Sequence, residues 1–574
     1  MKKSMSFCSI GVLLLAAVSV LPQASAVEGG ALLPNGIRLP AVWPPTDRDP
    51  ISTEPMPVPY LTSPPAVIPI DVGRQLFVDD FLIEHSDLVR TFHRAEKYLG
   101  NPVFKPETAE ELKRGATVYL GQGGVFFDPQ SNEFKMFYTA GWRGPLALAT
   151  SKDLVRWNRP VMRAGSENVL LAAGLKWAGP EISRAGSDNC VWFDAPATNP
   201  AERIKLLTCW MHVPVAERPK GFNHSIQTSA DGLGWSEGVP TSGPPGDDYC
   251  SFFYNPFRQV WVFSIKQHGP RGRARYYAEN PNFFSGADWS RAVYWTNTDR
   301  LDAPEPAGRY PGAGDTPQLY SLGAVAYESL MLGMHYIHRG PTNEICTQEK
   351  MPKLTDLELG FSRDGFHWDR PDRGGFITGT RRDGDWDRGY LHGTTGICLV
   401  LGDKLVFPYT AYSGIAPNGS RGMYTGGSIG LAMLRRDGFA SMDAGENTGT
   451  LTTRPVKFSG NRLFVNVAAP KGELRAEVLD EAGQVLAPFA AARCVPVTAD
   501  STLHEVTWGA GTDLAALRGK PVRFRFQLKN GSLYSFWVSP DASGASHGYV
   551  GAGGPGYPGV IDTVGRAALA ARPL

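Results

Sequence analysis

Short runs of alternating apolar and polar residues, each closed by glycine, asparagine, aspartate or proline, fill the chain from Arg74 to about residue 540. A period of two places successive side chains on opposite faces of a strand, so each run is typical of a strand with one buried face. No stretch of useful length shows the 3.6-residue period of a helix. The pattern therefore predicts an all-β fold built from many short strands.

One motif recurs within this pattern, and its spacing predicts a repeat architecture. It reads Ser-x-Asp-x-x-x-Trp at residues 151–157, 229–235 and 362–368, with a weaker copy at 436–439. The aspartates lie 78, 133 and 73 residues apart, and the longest spacing corresponds to two periods, so we expect a degenerate copy near Trp295. Because the units share the motif, we interpret it as a turn that the fold needs rather than as a catalytic signature.

Each of these five units also carries two strand-turn-strand patterns, which is the content of a four-stranded propeller blade. Residues 74–450 are therefore predicted to form a five-bladed β-propeller. The blade motifs stop after Leu451, and residues 451–540 show the one-sided alternation of a C-terminal β-sandwich. Residues 27–73 are predicted to be a proline-rich extended leader, and residues 541–574 a flexible glycine-rich tail.

Residues 1–26 have the pattern of a secretory signal peptide. Lys2 and Lys3 precede an apolar run over residues 10–20, and small residues at 24–26 form a cleavage site. We expect an exported protein, periplasmic or extracellular, that is a monomer and does not insert into a membrane. Basic and acidic residues nearly balance, at 57 and 56, which predicts no nucleic-acid partner and favours a neutral or weakly charged ligand.

A five-bladed propeller with an appended sandwich resembles the invertase, levansucrase and arabinanase superfamily, the glycoside hydrolase family 32 and 43 type. Residues 74–84 and 101–103 are similar to the opening of bacterial family-32-like proteins. The resemblance implies a carbohydrate partner and a central pit lined by carboxylates from different blades. The chain lacks the Trp-Met-Asn-Asp-Pro-Asn segment, and it lacks Arg-Asp-Pro and Glu-Cys in the expected order, so the resemblance does not extend to sucrose or fructan cleavage.

The candidate catalytic residues are carboxylates at positions where the five units differ. Asp188, Asp248 and Asp315 stand where innermost strands begin, and Glu344 follows on the same predicted face. Glycoside hydrolysis needs one carboxyl group as acid and a second as nucleophile or base, and their separation sets the stereochemistry. Asp80 is a further candidate, because the resembling enzymes place a catalytic aspartate before the first blade.

The candidate binding residues are aromatic, basic or amide side chains in the predicted loops and strand starts. Aromatic rings stack on sugar faces, and a basic cluster can hold a uronate, sulfate or phosphate group. We interpret the residues 271–275 as a loop that carries this cluster. The predicted substrate-binding residues are Gln122, Trp142, Tyr249, Arg271, Arg273, His338, Trp386 and His392.

The sequence therefore favours an exported glycoside hydrolase, with two alternatives. One is a phosphorylase or lyase that uses the cluster at 271–275 on an anionic glycan, and the other is a non-catalytic glycan-binding propeller. No cofactor and no metal site are predicted. Residues 383–387 resemble the start of a calcium loop, but Thr394 stands where the closing glutamate would be.

Overall fold

The computed structural model describes residues 29–162, 168–171, 189–210, 222–509 and 512–570. These residues form sheets that are antiparallel except for one short parallel pair, joined by four short helices and several 3-10 turns, so the predicted all-β fold class is confirmed. The helices are Pro59–Thr62 (α1), Ala109–Lys113 (α2), Asn343–Gln348 (α3) and Arg566–Leu569 (α4). Within the described ranges, none of the helices is long and apolar enough to cross a membrane.

Five sheets between residues 96 and 435 form the blades, numbered I to V along the chain. Blade I contains Val118–Tyr119, Val125–Asp128, Glu133–Ala140, Leu146–Ser151, Trp157–Asn158 and Val169–Leu171. Blade II contains Cys190–Phe193, Ile204–Trp210, Asn223–Ser229 and Val239–Pro240. Blade III contains Ser251–Asn255, Val260–Gly269, Gly272–Asn280 and Val293–Thr296.

Blades IV and V each recruit a strand from a distant part of the chain. Blade IV contains Gln318–Glu328, Leu330–His338, Thr355–Ser362 and the C-terminal Tyr549–Val550. Blade V contains Gly389–His392, Leu399–Leu401, Lys404–Tyr412, Gly427–Arg435 and the earlier Glu96–Lys97. The two additions pair with Gln318–Glu328 and Gly427–Arg435 respectively.

The blades close into a ring around a central channel, as in a β-propeller. Contacts between the innermost strands join each neighbouring pair of blades. They are Gln122 with Cys190, Cys190 with Phe252, Ser251 with Leu322, Tyr320 with Tyr390, and Thr395 with Gln122.

The repeated Ser-x-Asp motif forms the same turn in three blades. The Oδ1 atom of Asp153 accepts hydrogen bonds from the backbone N–H groups two and three positions later, those of Val155 and Arg156. Asp231 and Asp364 accept the equivalent pairs. An aspartate that satisfies two turn amides stabilises a tight connection, which explains why the motif recurs.

The remaining strands form two sheets that face each other across one apolar core. The first contains Gln75–Leu76, Val89–Phe92, Ala440–Ala444, Arg462–Ala468, Asp500–Val506 and Gly531–Ser539. The second contains Ile83–Ser86, Gly449–Thr453, Glu473–Leu479 and Arg523–Lys529. A short parallel pair, Ile68–Pro69 with Val456–Lys457, lies beside them.

Residues 75–92 therefore belong to the sandwich, and the predicted propeller boundary at residue 74 needs correction. Phe77 packs against Phe536 in the sandwich core, with ring centroids 5.7 Å apart. Alternation identifies a strand but does not say which sheet it joins. Apart from Tyr549–Val550, the strands of the ring lie between Glu96 and Arg435.

The glycine-rich segment over residues 544–562, here called the floor segment, is also different from the flexible tail predicted for 541–574. Its backbone bonds to blades I, IV and V at the ends of their innermost strands, through Phe127, Ala326 and Val400. A side chain at Gly554 would lie 1.8 Å from the Val400 carbonyl oxygen, so glycine permits the close approach. The floor segment is thus held by backbone hydrogen bonds, which its low content of apolar residues does not indicate.

A buried charge cluster joins the floor segment, the ring and the sandwich; its members are Arg74, Glu328, Arg436, Asp437 and Asp562. Arg74 pairs with Asp437 at 3.0 Å, and Arg436 pairs with Glu328 at 2.9 Å and with Asp562 at 3.3 Å. All five side chains are fully buried. Burial raises the pKa of Glu328, while the two arginines oppose that shift.

Candidate active site

The pit is the end of the ring where the innermost strands begin, and Gln122, Tyr249, Tyr320 and His392 meet there as buried side chains. The Nε2 atom of Gln122 in blade I donates to Ser321 Oγ in blade IV at 2.6 Å. The hydroxyl of Tyr249 before blade III lies 3.1 Å from His392 Nδ1 in blade V. These bonds connect non-adjacent blades, so they mark the centre of the ring.

Asp248 presents an ionised carboxylate to the pit. Lys266 Nζ forms ion pairs with Asp248 and, at 3.3 Å, with Asp247. Burial acts to raise the pKa of Asp248, but the charges of Lys266, Lys353 and Arg273 lower that pKa to about 2. Its side chain keeps 22% of its surface exposed, whereas Lys266 keeps 2%. Asp248 can therefore act as a nucleophile or base, and it cannot supply a proton near neutral pH.

Three cations surround the ring of Tyr320. The charged ends of Lys266, Lys353 and Arg273 lie 4.6, 5.1 and 5.4 Å from its centroid. Lys353 Nζ also donates to the Tyr320 hydroxyl at 3.4 Å, and that hydroxyl lies 2.9 Å from the hydroxyl of Tyr390. Burial lowers the pKa of Lys353 to about 7. Burial also raises the pKa of Tyr320 well above its usual value, so the phenol stays protonated.

Arg275 holds the backbone on either side of the site through hydrogen bonds from its buried guanidinium group. Its guanidinium donates to the carbonyl oxygens of Tyr249 at 2.9 Å, Ser264 at 3.2 Å and Tyr320 at 2.6 Å. The side chain is fully buried. One arginine thus ties the start of blade III to the start of blade IV, next to Asp248 and Tyr320.

An aromatic wall, formed by Trp142, Tyr424, Tyr390, Tyr119 and Tyr412, borders the pit. Trp142 and Tyr424 are stacked, with centroids 3.8 Å apart and planes 9° apart. Both are partly exposed. Tyr390 lies 4.3 Å from the ring of His392 and connects the wall to the centre of the pit. Tyr119, Tyr390 and Tyr412 are fully buried, so the partly exposed rings of Trp142 and Tyr424 are the ones that suit the apolar faces of sugars.

A hollow of about 360 Å³ opens beside the pit, and Arg273, Gln318 and His338 form one side of it. Asp315 and Glu344 also line the hollow. Glu344 is exposed in the first turn of α3. Arg273 faces both spaces, since it contacts the Tyr320 ring and also donates to Gln318 Oε1 at 2.7 Å.

The structure thus brings Asp248, Gln122, Tyr249, Arg273, His392 and Trp142 to the pit, and Asp315, Glu344 and His338 to the hollow. Asp188 lies outside the described residues.

Three of the predicted site residues lie outside the pit and the hollow. Asp80 is exposed and pairs with Arg90 beside the sandwich strands. Arg271 donates to the carbonyl oxygens of Ser52 and Thr298, and Trp386 packs on Tyr409 at 5.6 Å.

Sequence reasoning missed Lys353 and Tyr320, and it assigned the basic cluster to a loop. Arg273 and Arg275 instead lie on the strand Gly272–Asn280, where alternation turns both toward the pit. Lys353 follows Met351 and Pro352 and precedes Leu354, so its apolar neighbours were the available signal. A lysine is seldom fully buried unless the fold supplies partners for its ammonium group, so an apolar run around a lysine indicates a special environment.

The calcium-like segment is held by arginines. Both carboxylate oxygens of Asp383 accept hydrogen bonds from Arg421 at 2.9 Å, and Arg388 also pairs with Asp383. In the part of the chain that the structure describes, no group of three histidine, cysteine or acidic side chains is placed to hold a metal.

Neither a protein-family model nor a curated relative matches the chain. Similar solved structures include an N-acetylgalactosamine deacetylase from F. plautii in complex with blood group B trisaccharide, at 13% identity and a TM-score of 0.39, covering 62% of this chain and 96% of that one. A thermostable family-43 glycoside hydrolase is 11% identical with a TM-score of 0.37, covering 58% of this chain and 95% of that one. A fructofuranosidase from Schwanniomyces occidentalis complexed with fructose is 12% identical with a TM-score of 0.33, covering 78% of this chain and 97% of that one.

The similar structures include glycoside hydrolases. At this identity and TM-score the likeness assigns neither a family nor a reaction to this chain. Its chemistry has to follow from the side chains of the pit and the hollow.

Proposed function

We propose that this protein is a glycoside hydrolase whose reaction takes place at the junction of the pit and the hollow. The observation that carries the proposal is the ionised carboxylate of Asp248, held by Lys266 and still accessible from the pit. A carboxylate in this state can attack a sugar carbon or activate a water molecule. Trp142 and Tyr424 offer the ring faces on which the sugar would stack.

A hydrolase of this type needs a second carboxyl group to protonate the leaving oxygen. Asp315 and Glu344 line the adjoining hollow, and Arg273 connects that hollow to the pit. A glycan that spans the two spaces would place its scissile bond between Asp248 and one of these carboxyl groups. We assign the acid to this pair and the nucleophile or base to Asp248.

The test is hydrolysis of a polysaccharide and oligosaccharide panel by the mature protein and by single variants. Asp248→Asn should abolish turnover, and the variant of the acid, Asp315→Asn or Glu344→Gln, should lower kcat by about 10²- to 10⁴-fold. Matched controls are Asp513→Asn and Glu446→Gln, at exposed carboxylates between strands of the sandwich. Full activity of Asp248→Asn would exclude this mechanism.

A second readout tests the role of Asp248 directly. If Asp248 is a nucleophile, Asp248→Ala leaves space for azide, and a glycosyl azide should form. Binding of glycans without turnover by any wild-type preparation would instead favour the non-catalytic glycan-binding alternative. We also propose export, on the pattern at residues 1–26, which fractionation of producing cells would test.

A further inference from the structure

We infer that the pit selects an anionic glycan, and that Lys353 and Arg273 bind an oxyanion carried by one of its sugar residues. The inference rests on the proposed function and names the substrate class of the same site. The oxyanion is a uronate carboxylate or a sulfate or phosphate ester, since all three present oxygens that accept hydrogen bonds from cations.

Charge balance is the first argument. The pit contains the cations Lys266, Arg273 and Lys353, and its two carboxylates, Asp247 and Asp248, both pair with Lys266. Among the described residues, Arg273 and Lys353 form no ion pair with any carboxylate within 4.0 Å. In the described part of the chain, the pit therefore contains one more cationic side chain than carboxylates, and two of its three cationic side chains, Arg273 and Lys353, have no carboxylate in direct contact.

Incomplete hydrogen bonding is the second argument. Among the described residues, the Nζ atom of Lys353 donates only to the Tyr320 hydroxyl, at 3.4 Å, although an ammonium group can donate three bonds. Nε of Arg273 and Nδ1 of His338 are buried, and neither has a hydrogen-bond partner in the described ranges. Buried polar groups without partners are unfavourable, so a ligand that satisfies them would bind strongly.

Convergence is the third argument. Arg273 lies on Gly272–Asn280, His338 ends Leu330–His338, and Lys353 precedes Thr355–Ser362. All three face the ring of Tyr320, at centroid distances of 5.4, 5.9 and 5.1 Å. Donors that are fixed by strands can bind one oxyanion without a large entropic cost.

The aromatic wall relates the oxyanion to a sugar ring. Lys353 Nζ lies 5.4 Å from the ring of Tyr424, which stacks on Trp142. A sugar on this wall would hold its charged substituent next to Lys353. The near-zero net charge of the whole chain, +1, gives no sign of this local excess of positive charge.

Isothermal titration calorimetry on Asp248→Asn tests the inference without turnover. The probes are an oligogalacturonate and its carboxyl-reduced neutral form, a sulfated galactan oligosaccharide and its desulfated form, a phosphorylated mannan oligosaccharide and its dephosphorylated form, and inorganic phosphate alone. We expect one anionic member to bind at least 10-fold more tightly than its neutral partner. Adding Lys353→Met or Arg273→Gln should remove that preference, whereas Lys353→Arg should keep it.

The control is Lys404→Met, at an exposed lysine on blade V, which should keep the full preference. Equal affinity for charged and neutral partners in all three pairs would overturn the inference. So would tight binding of inorganic phosphate together with no preference among the glycans, because the oxyanion would then be a separate co-substrate. Failure of the hydrolase proposal is seen separately, as absence of cleavage by the wild-type protein on a glycan that binds.

Discussion

Lys353→Met should stabilise the fold while it removes a group of the site. Burial lowers the pKa of Lys353 from its ordinary 10.5 to about 7; Asp248 and Cys346 oppose this shift, and Arg273 and Lys266 add to it. The unfolded chain therefore binds a proton more tightly than the folded chain between these two pH values. Stability consequently rises with pH across that interval, and below it the protonated lysine is a constant cost.

The magnitude follows from the size of this pKa change. The buried ammonium lowers the free energy of unfolding by about 4 kcal/mol at pH 7 and about 2 kcal/mol at pH 9. Methionine has a similar length and no charge, so the variant should recover most of this free energy. For a ring of roughly 340 residues, the gain corresponds to a Tm higher by about 6 °C at pH 7 and about 3 °C at pH 9.

Differential scanning calorimetry of both proteins at pH 6, 7.5 and 9 measures the effect. Titratable groups that behave alike in the two proteins contribute equally to both Tm values, so their contribution drops out of the difference. Lys404→Met, at an exposed position, is the control and should show no pH-dependent difference. A Tm difference that stays constant from pH 6 to pH 9, or a variant less stable than wild type throughout, would refute the reasoning.

Three further variants test other parts of the structure. Trp142→Ala removes one ring of the stacked pair with Tyr424 and should raise KM by about 2- to 10-fold with kcat nearly unchanged, as steady-state kinetics on a cleaved glycan would show. Arg275→Met leaves three carbonyl oxygens without their donor and should lower the free energy of unfolding by roughly 3 kcal/mol or more, with a lower Tm and lower activity together. Arg436→Met leaves buried Asp562 without its cation and Glu328 with Arg74 alone, and it should cost about 3–5 kcal/mol, seen as a lower Tm. An unchanged Tm in either arginine variant would contradict its assigned role.

The strands and their repeat were accessible from sequence because three of the blades reuse the same local turn. The hydrogen bonds of Asp153, Asp231 and Asp364 are local, so the same residues at the same spacing identify them. Partner choice was not accessible, because residues 75–92 and 549–550 pair with strands hundreds of positions away. Their alternation is the same whichever sheet they join.

The candidate site likewise contains some residues that the sequence indicates and others that it does not. Asp248, Gln122 and His392 stand at strand starts that differ between blades, so comparing the repeats points to them. The surroundings of Lys353 come from Tyr320 in blade IV, Tyr390 in blade V and Tyr424 beyond it. Neither the burial nor the lowered pKa of Lys353 can be derived from the residues next to it in the sequence, because both depend on the packing of blade IV against blade V.

The floor segment lies C-terminal to the three blades that it bonds to. During synthesis the ring therefore cannot reach its final form until residues near 562 have emerged. A chain interrupted before residue 549 would leave the edge of blade IV and the N–H groups of Phe127 and Val400 unpaired. Completion of the ring therefore depends on a segment that lies more than a hundred positions after the last strand of blade V.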